Sequence, residues 1–186
     1  ITEASSGIGA QCARSLSRYD NITLVLVGRD IEKLMQIKEE LKCTVFCVNY
    51  DLSNLSGIRE IFDACKNHGI KLDGMIHSAG IDVTCPLKAN NIETMEEIMR
   101  VNCFSFAELC KLFYSKRYSN DGASIVAISS IASLRCDIGM AAYSASKAAL
   151  NAIVKTASKE FVRRKIRVNA VLPAGVATSM TAKKVE

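Results

Sequence analysis

What the chain lacks narrows its identity first. Its eight cysteines stand at 12, 43, 47, 65, 85, 103, 110 and 136, form no Cys-x-x-Cys pair and have only two histidines beside them, so no zinc-like spacing exists and no metal is expected. At 186 residues a single domain can bury roughly 70% of the surface of its unfolded chain, and no disulfide framework is needed. The cysteines are therefore expected to be buried small hydrophobes in a reducing compartment. No apolar run approaches 18 residues, and the chain does not open with a charged-then-apolar segment. Both absences argue against a membrane span or signal peptide and for a soluble, cytoplasmic protein. The excess of 24 lysines and arginines over 19 acids is scattered, which excludes a basic stripe for nucleic acid. The one basic run, Arg163-Arg164-Lys165, is expected to be a solvated helix end favoured by the helix dipole. With two prolines and no repeat or linker, residues 1–186 are expected to form one domain.

What is present is an alternation of short β-branched runs and longer helical patterns. Strands are predicted at 22–27, 44–48, 74–77, 124–128 and 167–172. Helices are predicted at Gly7–Arg18, Asp30–Leu41, Leu55–His68, Thr94–Tyr118 and Ala141–Arg164, with Asp30 and Ser53 as caps. That order implies an α/β fold, a doubly wound parallel sheet with helices on both faces. A strand ordinarily precedes the first helix of such a fold, and Ile1 and Thr2 are expected to be only its tail.

Two groups of residues carry chemistry. Thr2-Glu-Ala-Ser-Ser-Gly-Ile-Gly9 opens the first helix, and its small residues let backbone N–H groups approach a pyrophosphate at the positive helix end. Tyr143 and Lys147, four residues apart, share one helix face. An ammonium there is expected to pull the phenol's pKa below about 10, making it a usable general acid or base. Ser130 ends an apolar strand on the sheet edge where ligands bind, and its hydroxyl can hydrogen-bond a substrate oxygen.

Together these motifs resemble the short-chain dehydrogenase/reductase family over nearly the whole chain, with its Rossmann-like fold. The glycine motif corresponds to Thr2, Ser5, Ser6, Gly7, Ile8 and Gly9; the adenine-side acid to Asp51 with Leu52; and the Asn-Asn-Ala-Gly turn to His77, Ser78, Ala79 and Gly80. Asn102, Ser130, Tyr143 and Lys147 correspond to the catalytic set, and Pro173 and Thr178 to the late coenzyme-binding stretch. The resemblance implies hydride transfer between a nicotinamide and a small carbonyl or alcohol. Tyr143 would exchange the proton, Lys147 would lower its pKa and hold the nicotinamide ribose, Ser130 would orient the substrate, and Asn102 would hold a relay water. Arg29 replaces the acid that members using NAD usually present at the end of the second strand, so NADP(H) is favoured over NAD(H). The resemblance extends to 3-oxoacyl-carrier-protein reductases and general carbonyl reductases, and to homodimers or homotetramers assembled through the helices at 94–118 and 141–164. By the same resemblance a first strand and a substrate-covering segment would lie beyond the two ends.

Departures from the pattern are unequal. Ser78 for asparagine and Ala174 for glycine are mild. Glu3 stands where the family has its first glycine, and there it places a Cβ and a negative charge beside a pyrophosphate. The alternative reading is therefore a catalytically impaired module of the same fold that senses nucleotide or binds partners.

Overall fold

The computed structural model describes residues 1–177. Its five strands are β1 (Thr23–Gly28), β2 (Thr44–Asn49), β3 (Leu72–His77), β4 (Ser119–Ile128) and β5 (Arg167–Val171). All of their pairings are parallel: β1 with β2, β3 with β4, and β4 with β5. Ile1 and Thr2 run between the two ladders. The Val27 N–H bonds the Ile1 carbonyl, and the Thr2 N–H bonds the Ile76 carbonyl at 3.0 Å, so the sheet reads β2, β1, Thr2, β3, β4, β5. Parallel strands need crossover helices, and these cover both faces. Along β1, Leu24 and Leu26 enter one core cluster with Ala10, Ala13 and Leu34, while Val25 and Val27 enter another with Phe62, Phe106 and Leu150. Such alternation across a strand buried on both sides confirms the doubly wound layering.

The helices are α1 (Gly7–Leu16), α2 (Ile31–Glu40), α3 (Arg59–Asn67), α4 (Ile92–Met99), α5 (Ser105–Phe113), α6 (Ala132–Arg135) and α7 (Ala141–Glu160). Asp30 caps α2 as expected, accepting the Lys33 N–H at 3.0 Å. Ser53 does not cap; its own N–H donates to Asp51, and the segment enters α3 through a 3₁₀ turn at Leu55–Gly57. The single helix expected over 94–118 is two helices joined by a π turn at Arg100–Phe104, and α7 tightens into a 3₁₀ turn at Phe161–Arg164.

Two further expectations are corrected. Arg164 is not solvated. It is buried at the end of that 3₁₀ turn, donating to Asp121, to the Tyr114 carbonyl and to both oxygens of Ser119. The cysteines are all free, but only Cys65, Cys103 and Cys110 are buried; Cys136 is exposed and the other four are half-buried. No helix among the described residues is long and apolar enough to cross a membrane.

Candidate active site

The β strands end in a small crevice that opens to solvent between β1 and β3, where the strand order reverses. A doubly wound sheet binds dinucleotides at that point. Of the predicted coenzyme residues, Arg29, Asp51, Leu52 and Ala79 line it, and Glu3 lines it with them. Tyr50, Ile81, Glu97 and Val101 also line it. Sequence reasoning missed these four, although Val101 directly precedes Asn102. The helix α1 begins at Gly7, four residues after the crevice-lining Glu3, with no side-chain hydrogen bond from its N-cap Ser6 and no acid in its first turn. Its first N–H groups are thus placed as donors for an anion. Gly9 is obligatory, because a Cβ there would overlap the Glu3 carbonyl. Gly7 has φ +52°, a conformation natural to glycine, and Glu3 has φ +50°, where a side chain costs about 1 kcal/mol or more.

Thr2 plays a different part from the contact expected of it. Buried at 3% exposure, its hydroxyl accepts the N–H groups of Ser78 and Ala79 at 3.0 and 3.1 Å and lies 3.3 Å from His77 Nδ1. It ties the glycine motif to the turn after β3. Asn102 holds the same turn from the other side. Its side-chain Oδ1 accepts the Ile81 N–H, and its Nδ2 donates to the Ile81 carbonyl and to Ser146 Oγ at 3.0 Å. The amide expected to hold a relay water is therefore committed to a clamp within the protein. Asn102 sits in the π turn, a local irregularity common at functional sites.

Ser130, Tyr143 and Lys147 converge at the end of β4 and the start of α7. The Ser130 hydroxyl lies beside the Tyr143 phenol, and its Oγ accepts the Ala132 N–H at 3.1 Å. Lys147 is 3% exposed, and its Nζ donates to the Ile128 carbonyl at 2.9 Å, lying 5.7 Å from the centre of the Tyr143 ring. Gly80 completes the packing, since a Cβ there would press to 3.2 Å from Lys147 Nζ and 3.5 Å from Asn102 Oδ1. Burial lowers the Lys147 pKa to about 8, with Asp82 opposing the drop. The expectation for Tyr143 reverses: burial raises its pKa, the Ser130 hydroxyl pulls it back, and Asp82 adds to the rise. Lys147 faces a carbonyl rather than the phenol, so it does not supply the lowering expected from spacing alone. A phenol held protonated beside a serine hydroxyl is suited to donate a proton to a carbonyl oxygen.

Pro173 anchors the end of this site, its carbonyl accepting the Ile131 N–H at 2.9 Å, while Thr178 lies outside the described residues. Ile8 and Ser78 stand beside the crevice-lining set through α1 and the turn after β3, not among its lining residues. No group of histidines, cysteines and acids suited to a metal occurs among the described residues.

Comparison with known proteins agrees with this geometry. The family model described as short chain dehydrogenase matches residues 1–186. The chain belongs to that family. This short-chain dehydrogenase is an NAD(P)-dependent oxidoreductase by membership. It is 30% identical over 177 residues to carbonyl reductase family member 4 of Xenopus tropicalis, covering 95% of the chain and 74% of that relative. It is 28% identical to the human 3-oxoacyl-[acyl-carrier-protein] reductase, with the same two coverages of 95% and 74%. An alcohol dehydrogenase from the archaeon Thermococcus sibiricus, solved complexed with 5-hydroxy-NADP, superposes with a TM-score of 0.87 at 27% identity, covering 95% of this chain and 75% of its own.

Proposed function

We propose that this dehydrogenase reduces a small carbonyl compound with NADPH, with Tyr143 as the proton donor. The observation that carries the proposal is the Ser130–Tyr143 hydroxyl pair standing over the buried Lys147 at the end of β4. The reduced coenzyme, when bound, would supply the hydride that the carbonyl carbon accepts. Ser130 and Tyr143 orient the substrate oxygen, and Tyr143 Oη gives it a proton as negative charge develops there. Lys147 lies 5.7 Å from the centre of the Tyr143 ring with its Nζ held on the Ile128 carbonyl, which fixes the start of α7 against the end of β4. Asn102 keeps Ile81 and Ser146 in register, and the first N–H groups of α1 take the pyrophosphate.

Arg29 supports the phosphorylated coenzyme, because a guanidinium can pair with a 2′-phosphate in two parallel bonds. The named relatives support a ketone, aldehyde or 3-oxoacyl thioester as substrate. Assembly into a homodimer or homotetramer is supported by α7, where Ala145, Ala148 and Ala152 lie exposed on one face. That face continues into an apolar groove with Ala107, Cys110, Tyr114 and Ile153. The expected contribution of α5 is smaller than its sequence promised, since Phe106, Leu109, Leu112 and Phe113 are spent in the core and only Phe104 is exposed.

The test is NADPH oxidation against ketones, aldehydes and oxoacyl thioesters, with Tyr143→Phe as control. Loss of the proton donor is expected to lower kcat by roughly 10²–10⁴-fold; a variant retaining full activity removes Tyr143 from the mechanism. The second reading, a nucleotide-binding module without turnover, is favoured by one observation, the left-handed Glu3 in the coenzyme crevice. NADPH binding without oxidation by any of these substrates would select it.

A further inference from the structure

Glu3 occupies a conformation that costs energy, in the one crevice where its charge matters. Its backbone is held at both ends: the Thr2 N–H bonds Ile76 and the Ala4 N–H bonds the Val27 carbonyl at 3.1 Å, while the missing Cβ of Gly9 leaves space for the Glu3 carbonyl. The residue cannot relax from φ +50° without breaking that frame. Strain retained in this way points to a role for the side chain.

The crevice shows what the role is. Glu3, Asp51 and Glu97 bring three carboxylates to its lining against the single guanidinium of Arg29. Asp51 has one oxygen engaged by the Ser53 N–H at 2.8 Å. β1 ends at Gly28 and Arg29 follows it, so the strand end lacks the acid that commonly takes the two hydroxyls of the adenosine ribose. Glu3 lines the same crevice as that strand end. We infer that Glu3 replaces this acid: its carboxylate accepts the ribose hydroxyls of NAD(H) and opposes the 2′-phosphate of NADP(H), working against Arg29 and narrowing the preference that Arg29 creates. This rests on the reading of the crevice as a nicotinamide-coenzyme site.

The chemistry predicts opposite movements. A carboxylate accepts hydrogen bonds from vicinal hydroxyls but repels a phosphate dianion. Glu3→Gln keeps the Cβ and the backbone strain and removes only the charge. Fluorescence titration of the full chain with NADH and NADPH is expected to show NADPH binding tighter by roughly tenfold and NADH weaker by a similar factor, the low end for hydrogen bonds to charged groups. Glu3→Gly, which also relieves the strain, is expected to keep the gain for NADPH. Titration with AMP and 2′,5′-ADP reads the adenosine end alone and should show the same crossing. Both coenzymes moving in one direction, or neither moving, overturns the inference while leaving the coenzyme site standing. Failure of the starting protein and both variants to bind either coenzyme overturns the hydride-transfer reading, and this inference with it.

Discussion

His77 should make the fold acid-labile, and the hydrogen bonds around it explain why. A threonine hydroxyl has one proton and two lone pairs. Both lone pairs of Thr2 are taken by the Ser78 and Ala79 N–H groups, so its proton goes to His77 Nδ1. The ring is therefore the neutral tautomer with its proton on Nε2, and Nε2 has no hydrogen-bond partner among the described residues. The ring is fully buried against Phe106, with centroids 5.2 Å apart. A second proton would land on Nδ1, break the Thr2 bond and place a cation in the core. Burial, reinforced by repulsion from Lys147, lowers the pKa from 6.5 to about 3. For a base whose folded pKa is depressed, stability is complete above the unfolded pKa and is lost as pH falls from there toward the folded one. At about 1.4 kcal/mol per pH unit, about 3 kcal/mol should disappear between pH 6.5 and 4.5. The chain has no tryptophan, so far-UV circular dichroism is the probe for urea unfolding. His77→Gln lacks this titration while every other ionisable group is common to both proteins and cancels. The difference between the two stability curves should close by about 3 kcal/mol over that range. Parallel curves would refute both the tautomer and the burial argument.

Lys147 predicts a second rise of stability with pH, of the same sign, in the alkaline range. Its ammonium pKa falls from 10.5 to about 8, so the fold carries the cost of a buried cation below pH 8, and stability should rise by about 3 kcal/mol as pH climbs from 8 to 10.5. Lys147→Met should lack that rise in urea titrations; a rise of equal size in the variant would sink the assignment. Buried thiols such as Cys110, pushed up to about 12, act in the opposite sense but equally in both proteins. Arg164→Ala should cost about 3–5 kcal/mol, since it leaves the Tyr114 and Ser119 carbonyls unpaired in the interior. Arg164→Lys should not restore the loss, because an ammonium cannot reproduce the planar fork. A urea midpoint within error of the parent for either variant would contradict the burial of this guanidinium.

The layered fold was legible because its signals are local. A β-branched run closed by Gly28, an aspartate before α2 and a Tyr/Lys pair at helical spacing each report on their own few residues. What was not legible depends on residues far apart in the chain. The clamp from Thr2 to Ser78 spans 76 positions, and the burial of Arg164 requires Ser119, 45 positions earlier. No periodicity encodes either. Tyr143 shows the same limit in electrostatics. Spacing brought Lys147 to its helix face, but the direction of the Tyr143 pKa shift was set by burial, while the ammonium found another partner in the Ile128 carbonyl. The π turn is the intermediate case: the helical pattern over 94–118 is genuine, and one extra residue at Arg100–Phe104 changes which side chains face the site.

The turn after β3 explains why some substitutions in the family pattern are mild and others are not. Thr2 recognises Ser78 and Ala79 only through their backbone N–H groups, so a serine in place of asparagine forfeits nothing that the clamp uses. Asn102 likewise grips Ile81 by its backbone N–H and carbonyl. The identity that matters lies in the gripping residues and in Gly80, whose missing side chain lets Lys147 and Asn102 approach the turn together. One short segment is thus registered from the coenzyme side by Thr2 and from the catalytic side by Asn102. A shift of either clamp would displace the crevice wall at Ala79 and Ile81 and the packing around Lys147 at once. Coenzyme affinity and turnover should consequently fail together when Thr2 or Asn102 is lost, whereas Tyr143, which lies outside the clamp, should affect turnover alone.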